Sequence, residues 1–223
     1  MRTRWWRAGA LGLALVSCGL GDIGPLPSTS PGTSADTVGE GSLARPRIGL
    51  PAVGRPRYDR DEWQPRGWAD ADGDGCNTRE EVLLAEGTDV RTGPGCKILT
   101  GVWTDPFSGR QVTSPAQLQV DHLVALADAH ASGGWAWTAE RKVAFANDLE
   151  NPDELNAVAG ALNEAKADRG PDRWLPPDRA AQCWYIRAYA GIKARWDLTV
   201  TPAQWAAIEA VRAGCANAGG DQR

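Results

Sequence analysis

The sequence predicts a small mixed α+β domain stapled by two disulfides and carried behind an export signal and a polar tether. Three observations predict it. Short β-favouring runs at 97–103, 117–120 and 155–158 are interleaved with segments of helical length and pattern. Of the five cysteines, Cys18 belongs to the N-terminal signal, which leaves Cys76, Cys96, Cys183 and Cys215, an even set in an exported domain. The stretch rich in large apolar side chains spans roughly 160 residues, long enough for one sizeable core.

The elements follow in order. Residues 1–17 open on the basic Met1-Arg2-Thr3-Arg4-Trp5-Trp6-Arg7, continue through a short apolar run from Ala8 to Val16, and end in Leu15-Val16-Ser17-Cys18, which resembles a bacterial lipobox. The apolar run is too short for a spanning helix and reads as a cleaved export signal. A thiol at the mature N-terminus is the acceptor for lipidation, so Cys18 is the expected anchor to a membrane. An ordinary secretory signal is the competing reading. Residues 18–56 are dominated by Gly, Pro, Ser and Thr and read as a disordered tether, because such a composition cannot offset ordering entropy.

The domain is expected over 57–217, with an acidic loop region at 57–96, a central unit at 97–170, C-terminal helices at 171–217 and a tail at 218–223. Lys97 to Trp103 reads as a strand, Asp105-Pro106-Phe107-Ser108-Gly109 as a turn, and Gln117 to Val120 as the strand leading into Asp121-His122. Leu126 to Ser132 looks helical and is broken at Gly133-Gly134; a second helix, Thr138 to Leu149, is capped by Thr138 and inserted before the returning strand Leu155–Val158. Ala161 to Asp168 is the next helix, ended at Gly170-Pro171. Asp178 to Trp196 and the segment after Thr201-Pro202 complete the domain as helices.

Four cysteines allow three pairings, of which Cys76 with Cys96 and Cys183 with Cys215 is the expected one. Trp205, Ile208, Val211 and Cys215 form a helical stripe, so an antiparallel pair of C-terminal helices would bring Cys183 and Cys215 to one contact. No CxxC pair is present, which argues against a zinc ribbon. Nine of the 11 tryptophans fall in the domain, and most should be core.

The chemistry-bearing segments are Val120-Asp121-His122-Leu123-Val124, Leu155-Asn156-Ala157-Val158 and Leu162-Asn163-Glu164-Ala165-Lys166-Ala167-Asp168. In that order they resemble the HNH, or ββα-metal, nuclease superfamily, from about Tyr58 to Cys215 and most closely its secreted bacterial branch related to the C-terminal nuclease domain of GmrSD-type restriction enzymes. The resemblance implies a ββα-metal core in which His122 is the general base, Asp121 and Asn163 hold one divalent metal, and Asn156 orients His122. Asn163 stands where a second histidine is often found, a substitution the superfamily accepts.

The residue types suit that chemistry. Phosphodiester hydrolysis needs a water made nucleophilic, and imidazole, with an ordinary pKa near ~6.5, is well placed to take its proton. A hard cation, Mg²⁺ first with Mn²⁺ or Zn²⁺ as alternatives, is served by one carboxylate and one amide oxygen with room for waters and a phosphate. Neighbouring strand residues face opposite sides, so Asp121 and His122 should sit where their strand ends and the chain turns. An amide can bridge backbone to imidazole, which suits Asn156; a turn asparagine is its plainer reading. Lys166, three residues after Asn163, either meets a substrate phosphate or solvates the helix. His130 is expected to be structural or exposed.

A second constellation, Asp70-Ala71-Asp72-Gly73-Asp74-Gly75-Cys76 followed by Glu81, fits the calcium-loop pattern D-x-D-x-D-G-x5-E and offers a site for structural Ca²⁺. No convincing helix precedes it, and Asn77 replaces the usual apolar anchor, so an Asx-rich turn beside Cys76 is the other reading. The formal charge is -4; without Arg2, Arg4 and Arg7 there are 21 Lys+Arg against 28 Asp+Glu, a net of -7. A nucleic-acid binder of this charge must cluster its cations, and Arg141, Lys142, Lys166, Arg169 and Arg173 lie nearest the motif in sequence. The expectation is a lipid-anchored or secreted endonuclease acting on nucleic acid. From another class, the alternative is a calcium-stabilised surface module with a degenerate, non-cutting site.

Overall fold

The computed structural model describes residues 43–215. The export signal, Cys18, the first part of the tether and the tail at 218–223 lie outside these residues. In chain order the elements are β1 (Arg47–Ile48), α1 (Thr78–Glu86), β2 (Thr88–Thr92), β3 (Ile98–Thr104), β4 (Gln111–Val112), β5 (Leu118–His122), α2 (Leu126–Ala131), α3 (Ala139–Ala146), β6 (Leu155–Ala159), α4 (Gly160–Lys166), α5 (Arg179–Arg195), β7 (Thr199–Val200) and α6 (Pro202–Cys215). This is a mixed α+β protein. Among the described residues, no helix is long and apolar enough to cross a membrane.

The unit that positions the site is the antiparallel pair β5–β6 followed directly by α4. Its register sets Asp121 opposite Asn156 and His122 opposite Leu155. Both strands are buried almost throughout, because the hairpin lies between two apolar clusters. Leu118, Val120, Leu155 and Ala157 join Val82, Leu83, Ile98 and Trp103 on one side. Leu123, Val124 and Val158 join the larger cluster built on Trp63, Phe107, Phe145, Tyr185, Tyr189 and Ile192. The aromatic core is a packed network: Phe145 meets Trp63 edge-on at 5.6 Å and Trp196 at 5.2 Å between ring centroids. Edge-to-face contacts of this kind add about 0.5–1.5 kcal/mol beyond burial.

Two disulfides staple the domain, Cys76–Cys96 with Cα atoms 5.0 Å apart and Cys183–Cys215 at 5.7 Å. The second joins the start of α5 to the end of α6. α5 also carries a buried ion pair, Lys193 to Asp128 at 3.0 Å, and Tyr189 donates to the same carboxylate at 2.6 Å. These bonds tie α2 to α5.

Several local expectations change. Residues 43–56, read as tether, belong to the folded part: Arg47–Ile48 pair in parallel with Thr199–Val200, and Leu43 packs on the main core. Backbone pairing holds this segment, so its lack of large side chains misleads. The region 57–96, expected as loop, contains α1 and β2. Asn77 opens α1 by accepting from Arg79 and Glu80 backbone N–H groups while Glu80 reaches back, a complete capping box. That pattern, Asn-x-x-Glu before Val82-Leu83, was present in the sequence and also explains why Asn77 departs from a calcium-loop anchor. The Thr138 cap holds as expected, but its helix ends at Ala146 rather than Leu149.

Candidate functional site

Asp121 and His122 lie inside β5, not beyond its end. Strand alternation therefore sends them to opposite faces, and it does so with a purpose that the hairpin makes visible. Asp121 shares a face with Gln119, and α4 covers both: Lys166 Nζ donates to Asp121 Oδ1 at 2.8 Å, and Asn163 Nδ2 donates to Gln119 Oε1 at 2.8 Å. Residues two apart on the strand thus meet residues three apart on the helix. His122 goes to the other face, where its ring stacks on Trp68 at 5.2 Å and 13°. Because His122 is the last strand residue, both faces border one cavity of about 300 Å³, whose lining includes Tyr58, Arg60, Asp121, His122, Asn163 and Asp168.

The electrostatics are those of a dry site. Lys166 is fully buried and Asp121 nearly so. Lys166 also donates to the backbone carbonyl of His122 at 2.9 Å. Burial pushes the Asp121 carboxyl above its ordinary pKa, and the Lys166 ammonium opposes the rise. Asp121 Oδ2 is buried without a hydrogen-bond partner. Such an orphaned oxygen is costly unless something completes it.

His122 Nε2 lies 2.9 Å from Ala146 O. A carbonyl oxygen can only accept, so Nε2 carries the hydrogen and Nδ1 is left with the lone pair. Burial drives the imidazole pKa down to about 3, with Arg60 and Lys166 adding to the fall and the Ala146 bond resisting it. The ring is neutral near pH 7.

Asp121 and Asn163 are the residues that would hold a hard cation at this cavity. Asp121 Oδ2 is unclaimed, and Asn163, with its amide nitrogen turned to Gln119, has its oxygen left for a ligand role. Two protein oxygens would leave room for water and a substrate phosphate around such a cation.

Other residues fall elsewhere, and five expectations are corrected. Asn156 does not hydrogen-bond His122; its Nδ2 donates to Asp153 O at 2.9 Å and fixes the turn entering β6. Lys166 is neither a solvated side chain nor a surface phosphate contact, because the Asp121 carboxylate and the His122 carbonyl hold it inside. Lys142 is buried and bonded to Glu62 at 2.5 Å. Arg141 lies over Trp137 at 4.8 Å and donates to Trp196 O, away from the cavity lining. Arg169 folds back onto Ala165 O. His130 is buried, with Nε2 2.9 Å from Pro56 O and Tyr58 edge-on at 5.7 Å.

The residues missed by sequence reading are Trp68, Tyr58, Arg60 and Gln119. Gln119 could have been found, since it is two residues before Asp121 on the same strand face. Trp68 is separated from His122 by 54 positions, and no local pattern links them. A larger cavity of about 740 Å³ adjoins through Tyr58, Ala127 and Asp168. Its wall mixes Arg55, Arg57 and Arg173 with Asp128, Asp168 and Asp172, a balance that selects no ligand charge.

The Asp70–Cys76 segment forms a tight exposed turn. Asp70 accepts from the Gly73 and Gly75 backbone, Asp72 from Asp74, and Asp74 from Cys76. Carboxylate oxygens of Asp70, Asp72 and Asp74 lie within 4.8 Å of one another. Glu81 has its pKa raised, first by desolvation and then by Asp72, Asp74 and Asp70.

Fold and site together define a disulfide-stapled α+β protein with a buried Asp–Lys pair and a neutral histidine at the mouth of one strand pair. The chain belongs to the family of a protein of Arthroderma benhamiae described as an "Uncharacterized secreted protein", to which it is 36% identical over 192 residues, 86% of this chain and 90% of that protein. No family model matches the chain, and no solved structure matches it.

Proposed function

We propose that the protein is an exported, metal-dependent endonuclease of the HNH, or ββα-metal, type that hydrolyses phosphodiester bonds of nucleic acid, DNA in preference to RNA. One observation carries this reading: a carboxylate with an orphaned oxygen, a neutral imidazole with a committed Nε2–H and a helix-borne amide border the same cavity. The strand–strand–helix order of β5, β6 and α4 supports it.

In the proposed reaction, His122 Nδ1 takes a proton from a water whose oxygen bonds to phosphorus. The P–O bond to the leaving oxygen breaks, its electron pair stays on that oxygen, and solvent supplies the proton that completes it. The imidazolium then returns its proton to solvent. Basicity held near 3 rises when an anionic phosphate enters, since a nearby negative charge favours the charged ring. Burial raises the Asp121 pKa, and the Lys166 ammonium at 2.8 Å opposes that rise and so favours the carboxylate. A divalent cation on Asp121 and Asn163, Mg²⁺ before Mn²⁺ or Zn²⁺, would neutralise charge on the phosphoryl and leaving oxygens.

The two disulfides and the secreted relative support an extracellular location. Anchoring through lipidated Cys18 is the finer proposal. A supercoiled-plasmid nicking assay tests the function: conversion with Mg²⁺ or Mn²⁺ that chelator abolishes is expected. No conversion with either metal, on DNA or on RNA, would leave a surface module that binds without cutting.

A further inference from the structure

We propose that Trp68 and Asn147 are positioning residues for His122, clamping its imidazole from the ring face and from the end of α3. The proposal rests on the nuclease reading for its effect on rate, and on geometry for the clamp itself.

Two contacts reach the ring, and the side chain of Asn147 ties together the segments that supply them. Trp68 covers one face at 5.2 Å and 13°, and it is half-buried against the second apolar cluster, so its own placement is constrained. Ala146 O takes the Nε2–H at 2.9 Å. Asn147, the next residue and the C-cap of α3, accepts from Ala69 N at 3.0 Å and from Thr78 Oγ1 at 2.9 Å through Oδ1. Its Nδ2 donates to Val143 O at 2.9 Å, which fixes the orientation of the amide. One side chain therefore fastens the residue after Trp68 to the residue after Ala146. Without it, the direct tie between the segments bearing the stacking partner and the hydrogen-bond acceptor of His122 is lost.

The consequence is orientational. With one face stacked and Nε2 committed, the imidazole has one remaining direction for its Nδ1 lone pair, and a displacement of about 1 Å in a catalytic group costs on the order of 10²-fold in rate. Asn147 touches neither His122 nor the cavity lining, so it acts through Trp68 and Ala146. Asn156, on the expected strand, does not do this work.

The test compares Trp68→Ala, Trp68→Phe, Asn147→Ala and the core variant Ile208→Val in the full chain, with melting temperature measured alongside. Expected are kcat losses of about 10- to 100-fold with KM within about threefold for Trp68→Ala and Asn147→Ala, partial recovery in Trp68→Phe, and unchanged kcat in Ile208→Val. NMR of ¹⁵N,¹³C-histidine-labelled protein provides a readout that does not need cleavage: the ring-current shift on the His122 carbon-bound protons should vanish in Trp68→Ala and shrink in Asn147→Ala. Kcat within threefold of wild type in both alanine variants, or His122 resonances unmoved by Asn147→Ala, would overturn the clamp. A wild-type protein that cuts nothing would remove the proposed function, and the resonances would still decide the clamp.

Discussion

Two regions of this protein bear carboxylates that could hold a cation, and they differ in exposure to solvent. At 70–76, three aspartates lie on an exposed turn whose carboxylates already accept from the turn's own backbone. At 121, a single aspartate lies inside the protein with a buried ammonium on one oxygen and nothing on the other. In the sequence the acidic turn offers four carboxylates at calcium-loop spacing, beside the plainer reading of an Asx-rich turn. In the fold it is the quieter of the two regions, because an exposed charge is solvated and a backbone-satisfied oxygen demands no ligand. The buried pair has no such freedom. Number of carboxylates therefore says less about a site than whether their oxygens are satisfied.

Breaking the buried pair should give the largest effect. Asp121→Ala leaves Lys166 charged in a dry interior, and removing one partner of a buried pair costs about 3–5 kcal/mol. The double variant Asp121→Ala with Lys166→Met should recover much of that loss in urea denaturation and remain inactive. A double variant as unstable as Asp121→Ala would mean that the ammonium is not the source of the cost. Asn163→Ala sharpens the contrast, since its side chain lies at the cavity edge. It should raise the Mg²⁺ concentration for half-maximal cleavage at least ~10-fold and leave stability within ~0.5 kcal/mol. Unchanged metal dependence would remove Asn163 from the ligand set.

A third test uses pH. Glu154 is fully buried and accepts from Trp196 Nε1 at 3.0 Å. Burial pushes its pKa up to about 9, with Asp148 adding to the rise and Trp196 and Arg195 opposing it. The folded state then holds a proton that the unfolded chain releases near pH 4.5, so this group's contribution is intact at low pH and is lost as pH rises toward 9. His122 acts in the opposite sense: its lowered pKa makes stability fall as pH drops from 6.5 toward 3. Melting curves from pH 5 to 9 should therefore decline on the alkaline side in wild type and flatten there in Glu154→Gln. Parallel curves for the two proteins would contradict the assignment.

The smallest effect is expected at the acidic turn. Exposed loops of this kind bind calcium weakly, with dissociation constants on the order of 10⁻⁴–10⁻³ M, so about 2 mM Ca²⁺ should raise the melting temperature by about 1–7 °C. Calcium alone should not support cleavage. Asp72→Asn with Glu81→Gln should erase the shift. A rise above 10 °C would make the turn, and not the buried cavity, the main cation site.

Much of the centre of the fold was legible. Alternation and turn signals gave β3, β5, β6 and α3 close to their positions, and helical spacing of Trp205, Ile208, Val211 and Cys215 anticipated the Cys183–Cys215 bridge. The N-terminal half was less legible for identifiable reasons. Arg47–Ile48 is a strand only because Thr199–Val200 lies beside it, and α1 was passed over because its capping box was read as part of a metal loop. At the site, Asp121, His122 and Asn163 could be named from the resemblance of their segments to the ββα-metal motif, whereas the burial of Lys166 and Lys142 had no sequence signal. A lysine's environment is set by what packs over it, here α4 on β5 and Glu62 on α3. The stacking of Trp68 on His122 is a tertiary fact of the same kind.

His122→Ala tests the central claim most directly. Neither a stability role nor a metal-ligand role for this ring predicts loss of the proton transfer alone. Under single-turnover conditions with saturating Mg²⁺ and a short oligonucleotide, the account predicts cleavage slowed by about 10²- to 10⁴-fold, an unchanged Mg²⁺ requirement and partial rescue by added imidazole. Cleavage within a few-fold of wild type would contradict it.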